Sequence, residues 1–302
     1  MKLAKRIEQL PAYLFAELDK KKQAALAQGL DVISLSIGDP DLPTPAVVVA
    51  AAEKAVADAA HHGYPNYAGS RAFRQACADW MERRFAERFY PDTEILGLIG
   101  SKEGIAHLPL ALVNPGDGVL CPQPGYPVYA IATRLVGGEV FEMPLLEKND
   151  FLPDLDAIPV EVARRASMMW INYPNNPTGA IAGLDFFAKA VDFCRRHDIV
   201  LCSDNAYSEI GFDDYRAPSV FDVEGAREVA VEFHSMSKTY NMTGWRIGFL
   251  VGRADVVKPF GDLKSNLDSG PFTAVQVTAM EAMACWDSLV PELCATYKRR
   301  RD

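Results

Sequence analysis

No run of apolar residues in this sequence is long enough to span a bilayer, and no signal-peptide core is visible, so membrane residence is not expected. Cysteine is sparse: the six, at positions 77, 121, 194, 202, 285 and 294, include no C-x-x-C pair. That scatter excludes a zinc ribbon and argues against a disulfide framework, which leaves reduced core thiols of a cytoplasmic protein. The five histidines form neither H-x-x-x-H nor H-E-x-x-H, so no metal is implied. An excess of positive charge is also missing. The chain has 31 Lys and Arg against 40 Asp and Glu, a net charge of −9, and its basic residues stay dispersed until the final KRRR. A nucleic-acid-binding face is therefore not expected. No internal repeat or low-complexity segment is present.

What the chain does have is apolar mass, 49% of 302 residues, enough for one large core or a large domain with a smaller one. Residues 6–28 are amphipathic and predict a helix. An alternating stretch over 32–37 runs into GDPDLPTP, where Gly38 permits a tight backbone and the prolines forbid regular structure. Thr44 and Pro45 read as N-cap and first residue of a helix to about residue 62, and Ser70 as the cap of a second, from 71 to about 89. Strands are then expected over 95–99, 119–121, 139–143, 168–172 and 199–203. Helices are expected over 100–112, loosely up to 166, and over 184–197, 254–265, 273–286 and 289–301. Alternation of this kind predicts an α/β fold of three layers, α/β/α, with a mostly parallel sheet and its functional residues on loops at strand carboxyl ends.

Residues 231–250, VEFHSMSKTYNMTGWRIGFL, interrupt that pattern with chemistry. The stretch reads as a strand, a polar turn and a second strand from 245 to 251, with Lys238 and Arg246 held on the turn. A lysine between buried strands suffers desolvation, which favours the neutral amine that can form a Schiff base. An isolated S-x-S-K is more often a solvated loop. Here Ser235, Ser237 and Arg246 add two hydroxyls and a planar fork suited to a phosphate dianion. An amine that condenses with an aldehyde beside a phosphate site is what pyridoxal 5'-phosphate requires.

SMSKTYNMTGWRIG resembles the lysine segment of the class I/II (fold-type I) pyridoxal-phosphate aminotransferases. GDPDLPTP, YPNYAG, GSKEGIAHLPLALVNPGD, PGYPVY, NYPNNPTG and SDNAYSE follow that family's order, with the LL-diaminopimelate aminotransferase-like branch nearest in pattern. The resemblance implies that Lys238 is the Schiff-base lysine and that Asp204, at the end of an apolar strand, pairs with the pyridinium nitrogen. The plain alternative for Asp204 is a helix cap. Tyr207 and Asn176 are then expected at the ring oxygen, and Tyr126 on the ring face, where its own plain reading is a tyrosine buried between prolines. Ser101, opening a helix after Gly100, would join Ser235, Ser237 and Arg246 around the phosphate, since a helix N-terminus attracts anions. Tyr64 would reach the phosphate of a neighbouring subunit, making the site a product of a homodimer. Gly38, Lys102, Asn176 and Asn266 are the substrate-side candidates, Lys102 also counting among the cofactor residues. The domains implied are 1–40, an entrance segment; 41–285, the large cofactor-binding domain; and 286–302, the start of an incomplete small domain.

The pattern departs from the family in two places. The family's arginine for the substrate α-carboxylate lies beyond the point where this chain stops at KRRRD, so cofactor binding is expected to survive and substrate binding to suffer. The distal arginine of aspartate aminotransferases is also missing before SNLDSG, which makes an aspartate-type donor less suited. The expected reaction is transfer of an amino group between an amino acid and a 2-oxo acid, Lys238 moving the α-proton. A β-lyase or decarboxylase on the same scaffold, and a non-catalytic cofactor-binding fragment, are the alternatives. A transcription regulator with an aminotransferase-like domain would need a DNA-binding domain for which these residues leave no room.

Overall fold

Phe249 and Val251 pack into one apolar core while Leu250, between them, packs into another. A strand that is buried on both faces must lie in the middle of a three-layer arrangement. The computed structural model describes residues 2–8, 10, 14–35 and 38–302, which divide into two compact units, Met1–Asp41 and Leu42–Asp302. The first unit carries helices α1 (Lys5–Glu8) and α2 (Leu14–Ala27), so the helix expected over 6–28 is not one continuous element. Residues 31–35 have no regular structure, with Ile33 and Leu35 exposed; 36 and 37, the rest of the expected alternation, lie outside the described residues.

The second unit holds the sheet. Its strands are β1 (Ile95–Leu98), β2 (Gly118–Gln123), β3 (Glu139–Pro144), β4 (Ala166–Ile171), β5 (Val200–Asp204), β6 (Ala230–Ser235) and β7 (Gly248–Gly252). They lie in the order β1-β7-β6-β5-β4-β2-β3. Pairs β6–β5, β5–β4, β4–β2 and β2–β3 are parallel, whereas β7 runs antiparallel to both β6 and β1. Reversing twice restores direction, so β1 points the same way as β6, and six strands deliver their carboxyl ends to one edge. The helices are α3 (Ala46–Ala57), α4 (Arg71–Phe85), α5 (Ser101–Leu112), α6 (Val128–Leu135), α7 (Val160–Arg165), α8 (Leu184–His197), α9 (Ala226–Val229), α10 (Met236–Thr239), α11 (Ala254–Lys264), α12 (Thr273–Ala284) and α13 (Trp286–Arg301). Residues of α4, α8 and α12 line one core and residues of α5, α6 and α11 the other. Among the described residues no helix is long and apolar enough to cross a membrane.

Several local expectations change. Thr44 does not cap α3: its hydroxyl donates to the Asn241 carbonyl at 2.7 Å and accepts from the Trp245 indole at 2.9 Å, so Pro45 takes the N-cap position. Ser70 does cap α4, accepting from the Phe73 amide at 3.1 Å, but the helix ends at Phe85 because Ala86 turns left-handed. The second strand of the lysine segment begins at Gly248. Ahead of it the turn contains α10 and a short 3-10 stretch, Thr243–Trp245, whose last hydrogen-bonded turn places Arg246 left-handed at φ 53°. Helix α13 is tied to the body through Glu209, which pairs with buried Arg84 at 2.9 Å and accepts from the Trp286 indole at 2.7 Å.

Candidate active site

Five of the strands that end at the common edge open directly into loops or helices carrying the expected residues. Beyond β1 the chain turns at Gly100 into Ser101; beyond β2 it reaches Tyr126; beyond β4, Asn176. β5 ends on Asp204 with Tyr207 three residues on, and β6 ends on Ser235, followed by Ser237 and Lys238. Arg246 stands just before β7, the one strand that starts at this edge.

The half of the cluster expected to meet a phosphate is built from backbone geometry. Gly100 is left-handed at φ 76°, and a Cβ placed on it would lie 2.4 Å from the Arg246 Nη2, so only glycine lets the guanidinium lie over the first turn of α5. Gly248 is constrained likewise, since its Cβ would meet the His234 carbonyl at 2.6 Å and the Ser101 amide nitrogen at 3.1 Å. The first amides of α5 have no partner within the helix, and with Arg246 they form a corner whose charge suits an anion. Arg246 Nη1 donates to the Thr243 carbonyl at 2.8 Å, which steadies the fork. Ser235 caps α10 by accepting from the Ser237 amide at 3.2 Å, bringing both hydroxyl residues and Lys238 into one helical turn.

The other half centres on Asp204, which is 5% exposed. Its Oδ2 accepts from the Tyr129 hydroxyl at 2.6 Å, while Oδ1 is buried with no hydrogen-bond partner among the described residues. Burial pushes the carboxyl from an ordinary 3.8 up to about 6, the Tyr129 hydrogen bond being the largest opposing influence. Tyr207 and Asn176 meet at 3.5 Å, the amide donating to the phenol oxygen. Burial, then the charge of Asp204, raises the Tyr207 hydroxyl to about 12. The Lys238 Nζ lies 5.9 Å from the centre of the Tyr207 ring. Tyr126 packs edge-on against Tyr129 with ring centres 5.6 Å apart, so Tyr126, Tyr129 and Asp204 form one continuous wall.

A consequence for stability follows from Asp204. Because the folded protein holds this proton more tightly than the unfolded chain does, raising the pH from about 4 through about 6 costs stability, on the order of 2–3 kcal/mol, and the cost persists above that window. Cofactor-free Asp204→Asn is therefore expected to be the more stable protein at pH 8, with the advantage shrinking as the pH falls toward 4. Urea unfolding at a series of pH values measures this, and a pH-independent difference would contradict it.

The remaining expected residues, Tyr64, Lys102, Asn266 and Gly38, are exposed. Tyr64 is 93% exposed. Lys102 is exposed on the first turn of α5, and Asn266 is exposed after α11, its amide donating to the Asp262 carbonyl at 2.9 Å. Gly38 belongs to the first unit. Two contributors were not anticipated. Tyr129, buried and stacked on Trp170 at 4.8 Å, lies three residues after Tyr126 in PGYPVY and fixes the Asp204 carboxylate. Asn172 donates to the Asp204 carbonyl at 2.7 Å and accepts from the Asn176 amide at 2.7 Å, so it joins the ends of β4 and β5. Glu232 and His234, within the apolar-looking VEFHS, form a buried pair at 2.9 Å, with Ser203 and Ser219 also donating to Glu232.

Residues 30–301 match the family model described as aminotransferase class I and II. The chain is 57% identical over 299 residues to the LL-diaminopimelate aminotransferase of Desulforudis audaxviator, covering 99% of this chain and 76% of that one. It is 52% identical over 303 residues to the LL-diaminopimelate aminotransferase of Gloeobacter violaceus, covering 100% and 77%. Among solved structures, a double mutant of Thermus thermophilus aspartate aminotransferase superposes with a TM-score of 0.93 at 28% identity, covering 100% of this chain and 78% of that one.

Proposed function

The chain belongs to the class I and II aminotransferases and is an aminotransferase, and from that premise we propose that it uses pyridoxal 5'-phosphate to move the amino group of LL-diaminopimelate to a 2-oxo acid. The observation that carries the cofactor reading is the Oδ1 of buried Asp204, which has no hydrogen-bond partner among the described residues, with the Gly100–Arg246 corner further along the same sheet edge. A buried carboxylate oxygen without a donor is costly, and a protonated ring nitrogen would satisfy it. A phosphate suits that corner for the reasons of dipole and guanidinium already given. The residues therefore fit a ring that carries a basic nitrogen and a phosphate.

In this reading Ser101, Ser235, Ser237 and Arg246 hold the phosphate, and Asp204 keeps a proton on the ring nitrogen while Tyr129 and Asn172 fix its orientation. Asn176 and Tyr207 hydrogen-bond the ring oxygen, and Tyr126 covers the ring face. When bound, the cofactor supplies a sink for the electrons left on the substrate α-carbon. Lys238 is the attachment point, and its amine accepts the α-proton and returns it as general base and then general acid. Gly38, Lys102, Asn176 and Asn266 are assigned to the substrate, and the exposure of Tyr64 supports a homodimer in which it serves the partner's site. Residues 41–285 are read as the cofactor domain, 1–40 as the entrance segment and 286–302 as the beginning of a small domain.

LL-diaminopimelate as donor rests on the two relatives at 52% and 57% identity. With 2-oxoglutarate as acceptor, kcat/KM for LL-diaminopimelate is expected to exceed that for alanine or aromatic amino acids by roughly 10²-fold, since a site built for a distal polar group rejects donors lacking it. Equal rates across the panel would sink the donor assignment while leaving the cofactor assignment standing. Turnover without a 2-oxo acid would instead favour lyase or decarboxylase chemistry.

A further inference from the structure

The first turn of α5 contains a carboxylate that its proposed role makes unwelcome. Glu103 is two residues from Ser101, in the turn assigned to the phosphate, and its Oε2 accepts from the Ile99 amide at 3.1 Å, just ahead of Gly100. Burial alone would raise the Glu103 carboxyl. Hydrogen bonds from His107 and Lys264, the charge of Lys264 and the Ile99 amide outweigh burial and hold it below the ordinary carboxylate value, so it is ionised. An anion there stabilises a helix N-terminus, but it also repels a dianion placed at the same turn.

The counter-charge comes from across the sequence. Lys264, the last residue of α11, is fully buried, and its Nζ lies 3.0 Å from Glu103 Oε2 and 2.8 Å from both carboxylate oxygens of Asp268. Asp268 Oδ1 in turn accepts from the Gly270 amide at 2.7 Å. Gly270 is left-handed at φ 76°, and a Cβ on it would meet the Asn66 carbonyl at 2.7 Å, so this turn sits against the backbone of the loop that follows Tyr64. Glu103, His107 and Asp268 also gather their ligand atoms within 4.8 Å, a spacing a metal could use, but the Lys264 ammonium already bridges the two carboxylates.

We propose that Lys264 is a positioning residue that neutralises Glu103, so that Glu103 can lock the Gly100 turn without repelling the phosphate. The inference rests on the assignment of that turn to the cofactor phosphate. Its test compares two double variants, Lys264→Met/Asp268→Asn and Lys264→Met/Glu103→Gln. Each keeps one carboxylate of the trio and the same net charge, and they differ only in which carboxylate remains.

Both are titrated, beside wild type, with pyridoxal 5'-phosphate and with pyridoxal, which lacks the phosphate, and affinity is read from visible absorbance. The variant that retains Glu103 is expected to lose preference for the phosphorylated form by roughly tenfold or more relative to the one that retains Asp268, while their affinities for pyridoxal stay alike. Equal preferences in the two variants would overturn the proposal, because a merely structural role for Lys264 does not distinguish the carboxylates. Wild type that does not prefer the phosphorylated form would refute the phosphate assignment instead. Single Glu103→Gln, with Lys264 in place, covers failure of the double variants to fold: it is expected to bind the phosphorylated form at least as selectively as wild type, and a tenfold loss of selectivity would contradict the proposal.

Discussion

Replacing Asp204 by alanine is expected to lower the rate of transamination by about 10²- to 10³-fold while weakening cofactor binding by no more than about tenfold. Removing one member of a buried charge pair costs on the order of 3–5 kcal/mol, and a factor of ten in rate corresponds to about 1.4 kcal/mol. Most of that loss should fall on the chemical step, since in the proposed reading the negative charge of Asp204 would keep a proton on the ring nitrogen as electrons accumulate. Ser101, Ser235, Ser237 and Arg246, the residues proposed to hold the phosphate, are untouched by the change. Asp204→Asn separates shape from charge: it can still accept from the Tyr129 hydroxyl, which now holds Oδ2 at 2.6 Å. A rate loss as large in Asn as in Ala therefore assigns the effect to charge. Equal losses of rate and cofactor occupancy in both variants would make Asp204 structural.

Replacing Lys238 by alanine is expected to remove transamination to a greater extent, roughly 10⁴-fold or more, because one side chain serves both as attachment point and as the group that moves the α-proton. The fold should tolerate the change. Lys238 is half-buried in the single turn of α10, whose cap comes from Ser235 rather than from the lysine. The cofactor should still bind, through the phosphate corner and Asp204. Added methylamine would be expected to restore part of the proton transfer, whereas a lysine needed only for packing would not be replaced by a soluble amine.

Much of this site was legible in the sequence for a physical reason. Residues that serve a cleft at strand carboxyl ends follow apolar runs directly, and they come with the glycines, prolines and hydroxyls that stop a strand. Asp204 after VLCS, Asn176 in PNNPTG and Lys238 in SMSK all carry that local mark. Residues that act through tertiary contacts carry no such mark. Tyr129 reads as one more apolar position of α6, and nothing nearby in sequence reveals that its hydroxyl meets a carboxylate 75 residues away. Lys264 reads as a solvated lysine near a helix end, yet it is buried because Glu103 lies 161 residues earlier and adjacent in space. Glu232 and His234 were absorbed into an apolar run because a paired buried charge keeps the strand's period. The left-handed backbone at Arg246 was hidden for another reason: arginine is not a residue that favours that conformation, and only the chain's path between α10 and β7 imposes it.

Lys238 is proposed as the amine to which pyridoxal 5'-phosphate is attached, with Asp204 facing the ring nitrogen. Reduction of the cofactor-loaded wild-type protein with borohydride, followed by digestion and mass mapping, tests it most directly. A single phosphopyridoxyl mass increment on the peptide that contains Lys238 is the expected result. The same increment on Lys102, Lys264 or any other lysine, with Lys238 unmodified, would contradict it.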